Sequence, residues 1–221
     1  MDWQALTLSI ELAMVTLVVL LPAGLLLGRW LAYTGFAGKA WIEALVVLPL
    51  VLPPTVLGYY LLVSLGGATP LGRWMADTFN IRLSFNFLGL VLASIIFNVP
   101  FLVQPVQRAF EAIPRQLGEA AAVSGLGAWP TFWRVELPLA WPGVLSAVVL
   151  TFVHTLGEFG VVLMLGGSIP GQTKTIAIAI YDRVQAFDLV AANRMAALLL
   201  VFSLIAVGAS FFASARLTIR R

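Results

Sequence analysis

Ionisable residues are scarce in this chain, with 13 Lys+Arg, 10 Asp+Glu and one His among 221 residues. Polar groups inside its apolar runs are therefore the first candidates for chemistry. Thr151, His154, Thr155 and Glu158 fall at i, i+3, i+4 and i+7, the spacing of one helical face. A charged side chain at the centre of a membrane costs roughly 2.5–3.5 kcal/mol on insertion scales, so such a face should meet protein or water rather than lipid. Two roles fit. The face lines a pathway, or His154 and Glu158 pair at i, i+4 and hold the helices together. An ionised Glu158 would repel an anionic substrate, so an anion path calls for a paired or protonated carboxyl, or for Glu158 beside the path.

A second constellation is LPLVLPPTVLGYYLL, residues 48–62. Pro49, Pro53 and Pro54 each lack an amide donor, and the adjacent pair cannot continue a regular helix. A helix restarting near Pro54-Thr55 would offer free amides and the positive end of its dipole, both suited to an oxyanion. The alternative is a plain kink capped by Thr55. Asn98, with Pro100, Gln104 and Pro105, marks a third helix as kinked and inward-facing. Gly24 and Gly28 form a GxxxG packing signal on the first apolar run.

Other chemistry is poorly supplied. The chain has no cysteine, hence neither disulfides nor thiol chemistry. The single His154 has no cluster of partners with which to bind a metal. Residues 166–173, GGSIPGQT, have the glycine spacing of a phosphate-binding loop, but Gln172 stands where a lysine is needed. The stretch reads as a turn after a helix. The chain is expected to bind no cofactor and no ATP of its own. A net charge of +3 gives no case for nucleic acid.

These groups must be positioned by membrane helices. The chain is 61% hydrophobic and 10% charged, beyond what a soluble domain of this length requires. Stretches free of Asp, Glu, Lys and Arg run over 12–28, 44–72, 83–107, 137–157 and 195–215. About 20 apolar residues cross a hydrocarbon core. The expectation is an all-α polytopic membrane protein with a single domain over 6–213. Five spans are placed at 6–28, 42–65, 87–107, 141–165 and 195–213, with a polar loop at 108–140. Short helices are expected within 66–86 and around Ile176–Phe187, the latter at the interface. The start MDWQ lacks a basic n-region, so the first run is expected to be retained as a span.

Basic residues orient the spans. With the N-terminus outside and the C-terminus inside, the inner segments hold Arg29, Lys39, Arg108, Arg115, Arg134, Arg216, Arg220 and Arg221, and the outer ones five. That excess has the sign of the positive-inside rule and puts loop 108–140 in the cytoplasm. Arg220-Arg221 would anchor the last span at the inner face.

That loop carries the most informative spacing in the chain. It reads Glu119-Ala120-Ala121, three residues, Gly125, nine residues, Val135, one residue, Leu137-Pro138. The pattern resembles the EAA loop of the membrane-spanning subunits of bacterial ABC importers, with Val135 where the family prefers Ile. Together with residues 48–62 and LGEFGVVLMLGGSIPGQTKTIAIAIY (156–181), it resembles the permease of molybdate ABC importers over nearly the whole chain. Sulfate and thiosulfate permeases share related segments, and Ser168 stands where the oxyanion branch often has Asn. The compact N-terminus favours molybdate over sulfate.

The resemblance implies a type I importer permease in the bacterial inner membrane, acting as a homodimer among lipids. Two cytoplasmic ATPases would carry ATP and Mg, and a periplasmic protein would deliver molybdate, tungstate or sulfate. Glu119, Ala120, Ala121, Gly125, Val135, Leu137 and Pro138 would couple to the ATPase. Pro53, Pro54, Thr55, Asn98, Thr151, His154, Thr155 and Glu158 are the pathway candidates. A reading of a different class is a secondary carrier using the His154–Glu158 pair as a proton relay. The Glu119 loop separates the two, because a carrier has no use for an ATPase socket.

Overall fold

The computed structural model describes the backbone of residues 1–219 and the side chains up to Ser214. Arg220 and Arg221, and the side chain of Arg216, lie outside the described residues. The described residues form helices joined by short connections. They are α1 (Trp3–Tyr33), α2 (Lys39–Val51), α3 (Pro54–Leu65), α4 (Pro70–Phe79), α5 (Phe87–Glu111), α6 (Arg115–Val123) and α7 (Ala128–Thr131). A π-helical turn, Phe132–Glu136, leads into α8 (Leu137–Gly157), followed by α9 (Gly160–Gly166), α10 (Ile176–Gln185) and α11 (Leu189–Ile219).

Four helical stretches are long and apolar enough to cross a membrane: Trp3–Tyr33, Phe87–Glu111, Ala128–Gly157 and Leu189–Ser214. A fifth is counted if α2 and α3, bent by 105° at their break, make one span. The bend falls where the proline pair removes two successive amides, and α3 restarts at Pro54, a position that needs no N–H. The fourth span departs from the expected 141–165. Its helix begins at Ala128, inside the segment read as a loop, because α7 and the π-turn run unbroken into α8. It stops at Gly157, where Glu158 turns extended (φ −67°, ψ 128°) and α9 starts as a separate short helix.

α5 is the centre of the bundle. Over its most apolar stretch 56% of residues are buried, against 11% for α11, whose outward side is left for lipid or another chain. Leu102, Val106 and Phe110 of α5 form one core with Leu20 of α1 and Ala140, Val144 and Ala147 of α8. Gly24 and Gly28, the GxxxG pair, face Leu102 and Val106, so α1 lies close along α5.

The short helices expected in the connections are present, as α4 and α10. α10 is more than an interfacial element. Ile176, Ile178 and Ala179 are buried, and the Ile176 amide donates to Ser9 Oγ of α1 at 2.8 Å. The glycine-rich stretch before it is a turn, closed by the Ile169 amide donating to Thr173 Oγ1 at 3.1 Å.

Chain direction sorts the connections into two ends. The end of α1, the starts of α2 and α8, the end of α5, and α6–α7 gather at one end of the bundle. Asp2, which caps α1 by accepting from the Ala5 amide at 3.0 Å, lies at the other.

Candidate functional site

The Glu119 loop forms its own short helix at the first of these ends. Pro114 is its N-cap, and α6 runs from Arg115 to Val123. It stops because Gly125 takes φ +79°, a left-handed conformation that glycine adopts without the clash a Cβ would bring. The Gly125 amide then donates to Ala122 O and the Leu126 amide to Ala121 O, both at 3.0 Å. This pair of bonds is the Schellman closure of a helix. Ala121 is buried, whereas Glu119 and Ala120 are exposed and Val123 is 91% exposed. The helix therefore presents a carboxylate and small or apolar side chains outward.

The second half of the spacing lies on the continuous helix. Val135 is half-buried in the π-turn, Leu137 packs against the core around Phe110, and Pro138 sits at the start of α8. Between α6 and the bundle lies a cavity of ≈ 400 Å³ lined by Tyr33, Arg115, Gly118, Glu119, Val135 and Glu136. Arg29, at the end of α1, holds Glu136 with two hydrogen bonds. Its Nε donates to Oε2, and Nη2 donates to Oε1 at 3.1 Å. Neither residue belongs to the motif. They are 107 positions apart, and the only signal in the chain was a lone arginine closing the first apolar run.

The pathway candidates divide into a buried cluster and an exposed break. Asn98 of α5 stands at the centre of the cluster. Its Oδ1 accepts from His154 Nδ1 at 2.9 Å, and its Nδ2 donates to Ser94 O at 2.8 Å. Glu158 Oε2 accepts from Ser94 Oγ at 2.9 Å and, more weakly, from Asn98 Nδ2 at 3.4 Å. The His154 ring stacks on Phe101, with centroids 3.7 Å apart.

Two expectations need correction here. Glu158 is not on the α8 face carrying Thr151, His154 and Thr155, because the helix ends one residue earlier. His154 and Glu158 do not pair directly, since Asn98 stands between them. Thr151 and Thr155 are buried, and Thr155 Oγ1 donates to Thr151 O at 2.8 Å, so this part of α8 is packed. Ser94 is the member that the spacing did not reveal. It is a small hydroxyl four residues before Asn98, and only the fold brings it to a carboxylate 64 positions on.

Pro53, Pro54 and Thr55 are exposed. The Val56 and Leu57 amides fold back onto Pro53 O at 2.9 and 3.2 Å, which tightens the first turn of α3. This turn packs directly on the start of α9. A Cβ on Gly160 would lie 2.8 Å from Pro54 Cβ, so glycine is required for the approach. The interruptions of the second and fourth spans thus meet each other.

Comparison with known proteins is consistent with this arrangement. Residues 21–221 match the family of binding-protein-dependent transport system inner membrane components. The chain is 46% identical over 210 residues to the molybdenum transport system permease protein ModB of Azotobacter vinelandii, covering 95% of this chain and 93% of that one. ModB of Escherichia coli K12 is 38% identical over 184 residues, 83% of this chain and 80% of that one. The sulfate transport system permease protein CysT of the same bacterium is 35% identical over 184 residues, 82% of this chain but 65% of that one.

Among solved structures, a bacterial ABC transporter that imports alginate matches with TM-score 0.78 at 19% identity, covering 96% of this chain and 78% of that one. The MetNI methionine ABC transporter matches with TM-score 0.69 at 18% identity, covering 98% and 94%. At such identities these likenesses speak for the fold, which is that of ABC importer permeases. The family match over most of the chain and the near full-length kinship settle its membership: the chain belongs to the binding-protein-dependent transport system inner membrane components.

Proposed function

We propose that this chain is the membrane-spanning permease of an ATP-driven importer that carries molybdate across the bacterial inner membrane. The observation that carries the reading is the likeness to ModB, at 46% identity over nearly the full length of both chains. The sulfate permease is less similar and is longer than the segment it shares with this chain. The chain acts as a homodimer, with one α6 per copy seated on each of two ATPases that hold ATP and Mg. A binding protein delivers the oxyanion at the opposite end. The N-terminus is outside, and α6 and the C-terminus are inside. Supporting this topology is the separation of Asp2 from α6 at opposite ends of the bundle, together with the basic residues around α6.

The chain's own part in transport is mechanical and electrostatic. Approach of the two ATPases moves α6, and the bundle rocks in response. The two span breaks around Pro54 and Gly160 are where a path can open, because backbone in such breaks is tolerated at membrane depth only beside protein or a cavity. Oxyanions should bind weakly along it, since a deep trap would block release inward. The secondary-carrier reading loses its relay, because His154 is hydrogen-bonded to Asn98 rather than to Glu158.

The test is uptake into vesicles holding the permease, its ATPase and the cognate binding protein. ATP-dependent accumulation of molybdate, outcompeted by unlabelled molybdate more effectively than by sulfate, is expected. Preference for sulfate or tungstate would reassign the substrate, and uptake without any ATPase would overturn the importer reading. Reporter fusions at residues 75 and 180 should report outside, and at residue 120 inside.

A further inference from the structure

The coupling helix rests on the bundle through a narrow support. Only Ala121 of α6 is buried, and the ≈ 400 Å³ cavity separates the rest of its inner face from Tyr33, Val135 and Glu136. Its main neighbours are α7 and the π-turn. A push on α6 therefore reaches the membrane helices through its covalent link to α5 and through that turn. A π-turn holds one residue more than an α-turn, and each residue rotates the helix by about 100°. Relaxing it to α geometry would swing α6 and α7 about the axis of α8 instead of moving α8.

The turn has a fastening to a helix distant in sequence. Glu136, its last residue, is 7% exposed and takes both hydrogen bonds from Arg29 of α1. The guanidinium also lies 5.6 Å from the ring centroids of Tyr33, one turn on in α1, and of Phe132, the first residue of the turn. Arg29 thus touches both ends of the π-turn. Phe132 in turn stacks with Phe110 at the end of α5, at 6.2 Å between centroids. A planar, bidentate guanidinium suits such a fastening, which an ammonium would not reproduce.

We propose that Arg29 and Glu136 are positioning residues of the coupling machinery. Their ion pair locks the π-turn to α1, so that movement of α6 is passed to the α1–α5–α8 core instead of being absorbed in the turn. The proposal rests on the coupling role of α6 given above, and adds to it two residues outside the Glu119–Pro138 spacing pattern.

The test is a double-mutant cycle in the reconstituted complex, reading oxyanion imported per ATP hydrolysed. Glu136→Gln and Arg29→Gln should each lower that ratio by about tenfold, while the ATPase stays bound and active. The double variant leaves no uncompensated charge and guards against failure of either single one to fold. It should be no worse than the poorer single variant, because the two residues act as one unit. An unchanged ratio, with uptake and hydrolysis falling together, would mean a purely structural pair and would overturn the proposal. So would additive losses. A wild-type complex that imports no molybdate would sink the substrate reading alone, and the ratio would then be read with sulfate or tungstate.

Discussion

The α6 end of the bundle and the buried polar cluster are built on opposite plans. The α6 helix is local: one proline starts it, one left-handed glycine stops it, and its outer face lies open at the end of the bundle. The Ser94–Asn98–His154–Glu158 cluster is assembled from α5, α8 and the break after α8, and its hydrogen bonds span 56 to 64 positions. The first leaves nearly all of its side chains exposed at the end of the bundle, as the proposed seat on an ATPase requires. The second is shaped to hold two spans of the chain together. A substitution in the first should therefore spoil transport with little loss of folding, and one in the second should do the reverse.

The largest effect is expected at Gly125. A β-branched side chain at φ +79° is strained whatever space surrounds it, so Gly125→Val should abolish uptake while leaving the permease inserted. Glu119→Lys, which reverses the exposed carboxylate, should also uncouple, and vesicle uptake against membrane-inserted amount measures both. Normal uptake in the two variants would remove the coupling role from α6.

Asn98→Leu tests the other half of the comparison. It strips a partner from His154 and weakens the hold on Glu158, both inside the bundle. Leaving a buried polar group unsatisfied costs about 1–3 kcal/mol, so the variant should melt at a lower temperature in detergent. The uptake per folded molecule should fall less than the yield. A stable variant with lost uptake would move the cluster from scaffold to pathway.

A finer test uses the absence of cysteine from the chain. Thr55→Cys lies on the exposed break and should react with a small water-soluble thiol reagent, whereas Thr155→Cys, on the packed stretch of α8, should react slowly. Trapping ATP on the partner should change the first rate. Fast labelling at Thr155 in any state would show that α8 opens where it now packs. The smallest effect is expected at Arg108, which is exposed and pairs with Glu111 at 2.8 Å. Exposed pairs contribute about 0–1 kcal/mol, and Arg108→Ala should leave melting and uptake near wild type.

What could be read from residue order follows the same division. The Glu119 loop was legible because every residue of its spacing sits within one polar interval of the chain. The helix break at Pro53-Pro54 was legible because missing amides are a property of the residue itself. The place of Glu158 on one face with His154 was misread because periodicity assumes that a helix continues, and the chain leaves the helix after Gly157. The early start of the fourth span was hidden by Trp129, Arg134 and Glu136, which look like loop composition but lie on a helix end. Ser94 and the Arg29–Glu136 pair depend on packing between separate spans, for which spacing along one chain carries no signal.

The proline pair between α2 and α3 has one more consequence, on the carbonyl side of the chain. Pro53 and Pro54 have no amide to offer Pro49 and Leu50, so those two carbonyl oxygens lack the donor that a continuing helix would supply. In hydrocarbon each orphaned acceptor is costly, and neighbouring helices, hydroxyl side chains or ordered water re-satisfy it. The bend is thus a point where the second span calls for a donor from outside itself, and water is one that fits without a charged side chain. On the path proposed above, water bound to that neutral backbone would let an oxyanion exchange part of its hydration shell rather than shed it into oil.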